Sequence, residues 1–172
     1  MEPDAFFFNS KSANQRPGSG IAREVVADPL AYTALPLDFR RVLSNFYPCA
    51  LEDGGQVYAS VEHAFHARKL RACGQPELAA RFAKGSGRYV GADPASAKRA
   101  GGRRGLYEMT ADEVARWADR SRGEMVELWR RRVACDANFA AVLRATGRAR
   151  LIHYGRRMED RWVELEAIRA EL

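Results

Sequence analysis

Apolar positions along this chain come in short runs and helical stripes, never in one sustained period. Residues 5–9, centred on Phe6-Phe7-Phe8, predict a short buried strand. Residues 11–20 (KSANQRPGSG) lose the pattern and read as a loop. Residues 21–38 are mixed, broken by Pro29 and Pro36, with a short strand around Glu24-Val25-Val26. An apolar loop follows through Phe46. Asp53-Gly54-Gly55 is a hairpin-type turn, and residues 56–59 read as its returning strand. Ser60 then caps a helix that Gly74-Gln75-Pro76 ends, with a second short helix over 77–82. Pro94 behind Asp93 opens another helical turn. Thr110 and Glu113 form a capping box for a long helix to about Val133. Asp136 caps a helix over 137–145, ended by Gly147. Residues 150–154 read as a strand. Residues 159–172 read as a terminal amphipathic helix with Trp162, Leu165 and Ile168 inside. The expected architecture is α+β: one mainly helical domain, 1–172, with a few short strands.

Composition changes this picture little. Hydrophobic residues make up 47% and charged residues 29% of the 172, as in ordinary globular chains. The formal net charge of +6 leans towards phosphates, nucleotides or nucleic acid as partners. The three cysteines, Cys49, Cys73 and Cys135, form no CxxC pair, which argues against a disulfide framework or a zinc ribbon and for a reducing cytoplasm or nucleus. The first residues lack a signal peptide's pattern, and no apolar run is long enough to span a membrane.

Candidate chemistry gathers on the Ser60 helix. Glu62, His66 and Lys69 stand at i, i+4 and i+7 and share one face. An acid, an imidazole and an amine on one stripe suit the wall of a polar pocket; alternatively Glu62 only complements the helix dipole. Lys98, Arg99, Arg103 and Arg104 surround Gly101-Gly102, a candidate phosphate clamp or else a solvated charge run. Lys11 lies in the first glycine-rich loop and carries the same two readings. Asn45 either reads a base edge or ribose hydroxyls, or forms a turn. Phe46 and Trp117 either stack on a ring or fill core. His63 and His66 lie close on one helix, but HExxH is absent and no third metal ligand is apparent.

These residues resemble the NADAR family, also called YbiA-like. Its members carry (F/L)SNF, a glycine turn, then a strand and (T/S)xEHxxQxxK. Here those positions read Leu43-Ser44-Asn45-Phe46, Gly54-Gly55, and Ser60-Val61-Glu62-His63 through Lys69, with His66 where Gln is usual. The likeness continues through Ala97-Lys98, Gly101-Gly102, Trp117, Met125 and residues 143–146, and so covers most of the chain. The KS…PGSG loop resembles the branch found in eukaryotes and large viruses. The resemblance implies an N-glycosidase fold and activity, cleaving the bond between a base nitrogen and C1 of a ribose, with no metal or cofactor. Two substrate classes are associated with the family: ADP-ribose attached to guanine in nucleic acid, and phosphoribosylamino-pyrimidine intermediates of riboflavin synthesis.

The resemblance places the active-site glutamate at Glu62, its lysine at Lys69 and a pocket tryptophan at Trp117. Asp160 stands near the family's C-terminal Asp, but its spacing to Trp162 differs and no glycine follows. The expected catalytic set is therefore Glu62, Lys69 and Asp160. The expected substrate-binding set is Lys11, Arg41, Ser44, Asn45, Phe46, His63, His66, Lys98, Gly102, Arg103, Arg104 and Trp117. A carboxylate such as Glu62 can stabilise an oxocarbenium-like sugar and orient water. Lys69 can hold a phosphate, or attack C1 of an opened sugar as a neutral amine. The rivals are a non-catalytic ADP-ribose or nucleic-acid binding module, a metal site, and an interaction protein whose basic face is merely solvated.

Overall fold

The computed structural model describes residues 4–17, 24–155 and 158–172. It is mixed α and β, with seven α-helices and a few short strands among those residues. The chain divides into two compact units, Met1–Tyr47 with Asp136–Leu172, and Pro48–Cys135. No helix among the described residues is long and apolar enough to cross a membrane.

In the first unit, the Phe triplet forms β1 (Ala5–Phe8), buried along its whole length. It lies parallel to β4 (Arg150–Tyr154), with Phe6 opposite Leu151 and Phe8 opposite His153. β5 (Glu159–Arg161) extends the sheet antiparallel on the far side of β4, in the order β1-β4-β5. The helices are α1 (Phe39–Val42), α6 (Ala137–Ala145) and α7 (Val163–Ala170), joined by a 3₁₀ turn at Pro29–Tyr32. Phe6 stacks on Tyr32 at 5.4 Å, and Tyr32 meets Phe39 at 5.3 Å. Burying rings such as Phe6 and Phe8 contributes roughly 1.5–3 kcal/mol each.

The free edge of β1 has an unusual cover. Phe7 points its N–H and C=O away from β4. Its N–H donates to Glu24 Oε1 at 3.1 Å, and its carbonyl accepts from Arg40 Nη1 at 3.0 Å. Arg40 and Glu24 also form a two-pronged ion pair, 2.6 and 2.7 Å, with hardly any side-chain exposure. An ion pair thus satisfies the backbone groups that a neighbouring strand would otherwise satisfy. The strand expected around Glu24-Val25-Val26 is reduced to a single antiparallel bridge, Val25 to Ala5. Residues 18–23, the end of the expected 11–20 loop and the start of the 21–38 segment, lie outside the described residues.

The expected terminal helix is shorter than its periodicity suggests. Residues 159–161 pair with β4 instead, and Trp162 donates its N–H to the Leu151 carbonyl at 2.9 Å. Glu166 of α7 accepts from the Leu151 N–H and from Arg161. A partner strand supplies ladder bonds here, and these outweigh a helical preference visible only locally.

In the second unit, β2 (Leu51–Asp53) and β3 (Gln56–Tyr58) form the expected hairpin around Gly54 and Gly55, both at positive φ (58° and 73°). The helices are α2 (Val61–Ala72), α3 (Pro76–Ala80), α4 (Pro94–Gly101) and α5 (Ala111–Cys135). α2 packs against α3, α4, α5 and both hairpin strands. It is therefore surrounded, and Glu62, His63 and His66 are buried beside Val61, Ala64, Ala67 and Leu70. α5 begins with the expected capping box. Glu113 N–H donates to Thr110 Oγ1 at 3.3 Å, and Glu113 Oε2 accepts from the Thr110 N–H at 2.8 Å. Arg68 of α2 holds Asp53 of the hairpin at 2.6 Å and Glu124 of α5 at 2.8 Å, clamping three elements together.

Candidate active site

Ser60 is extended and starts α2, its side chain accepting from the His63 N–H. That cap also fixes His63. Its Nε2 lies 2.9 Å from the Gly91 carbonyl, an acceptor, so Nε2 carries the hydrogen. Nδ1 then accepts from the Ser60 hydroxyl at 2.8 Å. His63 is fully buried, and burial pushes its pKa below the ordinary value. With both ring nitrogens engaged, it pins the residue-91 loop and has no nitrogen left for a metal or a substrate.

One turn on, His66 Nε2 stands 3.2 Å from Glu62 Oε1. Both residues are nearly buried, Glu62 at 9% and His66 at 7% exposure. The carboxylate accepts, so Nε2 donates. Nδ1 of His66 is buried and has no hydrogen-bond partner among the described residues. A Cβ on Gly101 would lie 2.2 Å from His66 Cγ, so only glycine lets the end of α4 sit against this ring. The same residue receives Lys69, whose Nζ donates to the Gly101 carbonyl. Gly101 is thus a keystone under two members of the α2 trio. Burial is the main influence on Lys69 and lowers its pKa; the neighbouring Cys73 and Glu62 side chains oppose that shift.

Above Lys69 lies a cavity of about 690 Å³. Phe65, Tyr107, Met109, Val114 and Trp117 supply its apolar wall, and Lys69, Gly102, Arg103 and Glu108 its polar groups. Phe65 and Trp117 meet at 5.2 Å with their planes tilted 57°. The Tyr107 hydroxyl donates to Glu113 at 3.0 Å, so the capping box of α5 also braces this wall. An aromatic wall with Lys69 and Arg103 in the same lining suits a planar ring that carries an anionic group.

The expected residues divide between the units. Glu62, His63, His66, Lys69, Lys98, Gly102, Arg103, Arg104 and Trp117 belong to the second. Of these, Lys69, Gly102, Arg103 and Trp117 line the cavity, whereas Glu62 and His66 are not among its lining residues. Lys98 and Arg104 are exposed. The first unit holds Lys11, Arg41, Ser44, Asn45, Phe46 and Asp160. Lys11 is exposed, its N–H donating to the Asn9 side chain. Arg41 donates through Nε to the Ser12 carbonyl at 2.7 Å and braces a loop. Ser44 is buried, and its hydroxyl accepts from the Phe46 N–H. Asn45 and Phe46 are half-buried, and Asp160 is exposed on β5 opposite His153.

Sequence reasoning missed Phe65, Tyr107 and Met109, and missed that Gly101 packs against His66 and Lys69. The one available signal was Gly101-Gly102 closing a short helix, which marks a close approach as well as a turn. The cavity-facing aromatics gave no signal distinct from core. No family model matches the chain, and no curated protein matches it.

Proposed function

We propose that the protein is an N-glycosidase that removes ADP-ribose from ADP-ribosylated guanine in nucleic acid. The observation that carries the reading is the arrangement on α2. A hydrogen-bonded Glu62–His66 pair stands two turns and one turn before Lys69, a lysine with depressed pKa on the wall of an aromatic cavity. The likeness of this helix and the SNF stretch to the NADAR family supports it from the sequence side.

In this reading the C1–N bond breaks with its electron pair leaving on the base nitrogen, which gains a proton. The sugar develops positive charge, and the Glu62 carboxylate stabilises it and draws a proton from the water that adds to C1. His66, through Nε2, holds that carboxylate in one orientation. A ring packs against the face of the touching Phe65–Trp117 pair, and Arg103 takes phosphate. Lys69, partly desolvated, is the candidate amine for attack on C1; borohydride trapping of an imine separates that role from phosphate binding.

The test is release of ADP-ribose from a guanine-ADP-ribosylated oligonucleotide, with a phosphoribosylamino-pyrimidine assayed in parallel. Glu62→Gln should lower turnover by about 10²-fold or more while ligand binding persists. Wild-type turnover in that variant removes Glu62 from the mechanism. A binding module is the second reading, favoured by the absence of Glu62 from the cavity lining. It predicts tight ADP-ribose binding with no base released by wild type.

A further inference from the structure

We propose that a second recess in the Pro48–Cys135 unit, built on the 81–88 loop, seats a backbone phosphate of a nucleic-acid strand; that the strand's modified base enters the Trp117 cavity rests on the N-glycosidase reading. The recess has a volume of about 310 Å³, and Arg81, Ser86, Gly87, Arg88 and Glu77 lie on its walls. Its loop is held from three sides. Lys84 N–H donates to the Val57 carbonyl at 2.8 Å, Val90 N–H to the Arg81 carbonyl at 2.9 Å, and Arg81 Nε to the Arg88 carbonyl at 3.0 Å.

What those bonds leave over is the informative part. Both Nη groups of Arg81 and the whole guanidinium of Arg88 have no protein acceptor among the described residues. The Ser86 hydroxyl is buried without a partner. Glu77, exposed in the first turn of α3, pairs with neither arginine. The Nη pair of Arg81 and the guanidinium of Arg88, without protein acceptors among the described residues, complement the oxygens of a phosphate.

Charge distribution points to a strand rather than a single small anion. Residues 81–104 contain seven basic side chains and one acidic one, Asp93. That local excess equals the formal net charge of the whole chain, +6, so the remainder is balanced. The basic stretch runs from this recess through α4 to Gly102 and Arg103 on the wall of the Trp117 cavity. A basic stretch that contributes to both recesses within one unit suits a polyanion with several phosphates better than a single small anion.

The test is fluorescence anisotropy with an unmodified single-stranded oligonucleotide of about 12 nucleotides, a length that one groove can track. Arg81→Ala/Arg88→Ala should weaken binding about tenfold and flatten the log affinity against log salt slope by about 0.7, the share of one phosphate contact on a single strand. Arg144→Ala/Arg148→Ala, which removes the same charge from exposed positions of the other unit, should change little. ADP-ribose affinity should be the same in wild type and the first variant. Arg88→Ala alone keeps the Arg88 carbonyl that Arg81 holds, and should show part of the effect on an intact loop.

Unchanged strand affinity and salt slope in the Arg81/Arg88 variant would overturn the proposal. So would an equal loss in the Arg144/Arg148 variant, or a parallel loss of ADP-ribose binding, which would give the recess to a small ligand's own phosphate. Arginine-dependent strand binding with no base released would leave this inference standing and remove the N-glycosidase reading alone.

Discussion

Each unit buries an acid–base cluster, and the two clusters are built to opposite specifications. In the first, Glu24 and Arg40 satisfy one another, the Phe7 N–H and C=O, and the Gln15 carbonyl. Arg40 lies over Phe6 at 5.2 Å and Phe39 at 5.5 Å, which leaves no room around it. In the second, Glu62 and His66 share one bond, His66 Nδ1 has none, and Lys69 borders an open cavity. Buried polar groups whose bonds are complete maintain a fold. A buried polar group left incomplete raises the energy of the resting protein, and a cation such as Lys69 on a cavity wall is available to a ligand.

The comparison breaks hardest at Arg40. Arg40→Ala leaves the Glu24 carboxylate buried and unpaired and strips a bond from β1. The expected loss is about 3–5 kcal/mol by denaturant unfolding. A loss below about 1 kcal/mol would mean that the pair is not a closed structural device.

Lys69→Met should do the reverse. It should reduce turnover by about 10²-fold and leave thermal stability unchanged or raised, because the lysine's charge is destabilised by burial. The sign follows from linkage. With the folded pKa depressed, the folded state sheds the proton first. Stability then rises with pH from the folded pKa up to the ordinary lysine value, and Met should abolish that rise. A nucleophilic Lys69 also predicts kcat rising with pH through the same depressed pKa; a flat kcat profile would leave it a phosphate ligand.

The smallest effect belongs to His63, whose bonds are complete although it lies in the second cluster. Its pKa is depressed by burial, so the unfolded chain takes up a proton first on acidification. Stability should fall as pH drops from about 6.5 towards the lower folded value, and His63→Gln should remove that acid sensitivity. Persistence of the acid transition in His63→Gln would assign it to another group.

Local chemistry made much of the fold legible. Ser60, Asp93, Asp136 and the Thr110–Glu113 pair all cap the helices they were expected to cap, because a cap acts within three residues of its own position. The glycine pair of the hairpin was legible for the same reason. Residues 159–161 were not, since their partner strand lies at 152–154 and an amphipathic stripe says nothing about ladder bonds. Trp117 was legible as either core or ring-stacking; its half-exposed place on the cavity wall needed Phe65, Tyr107 and the α4 end to be positioned first.

By itself, then, the amino-acid order determined the helix starts, the hairpin, the buried Phe strand and the one-face spacing of Glu62, His66 and Lys69. Each depends on near neighbours in the chain and on a fixed helical or strand period. Folding in three dimensions settled which polar groups found partners. Glu24 met Arg40 and Phe7, His63 met Gly91, and Lys69 met Gly101, while among the described residues His66 Nδ1 and the Ser86 hydroxyl met no partner, and the Arg81 Nη groups and the Arg88 guanidinium met no acceptor. Hydrogen-bond satisfaction depends on groups distant in sequence arriving within about 3 Å of one another, and no local pattern encodes that.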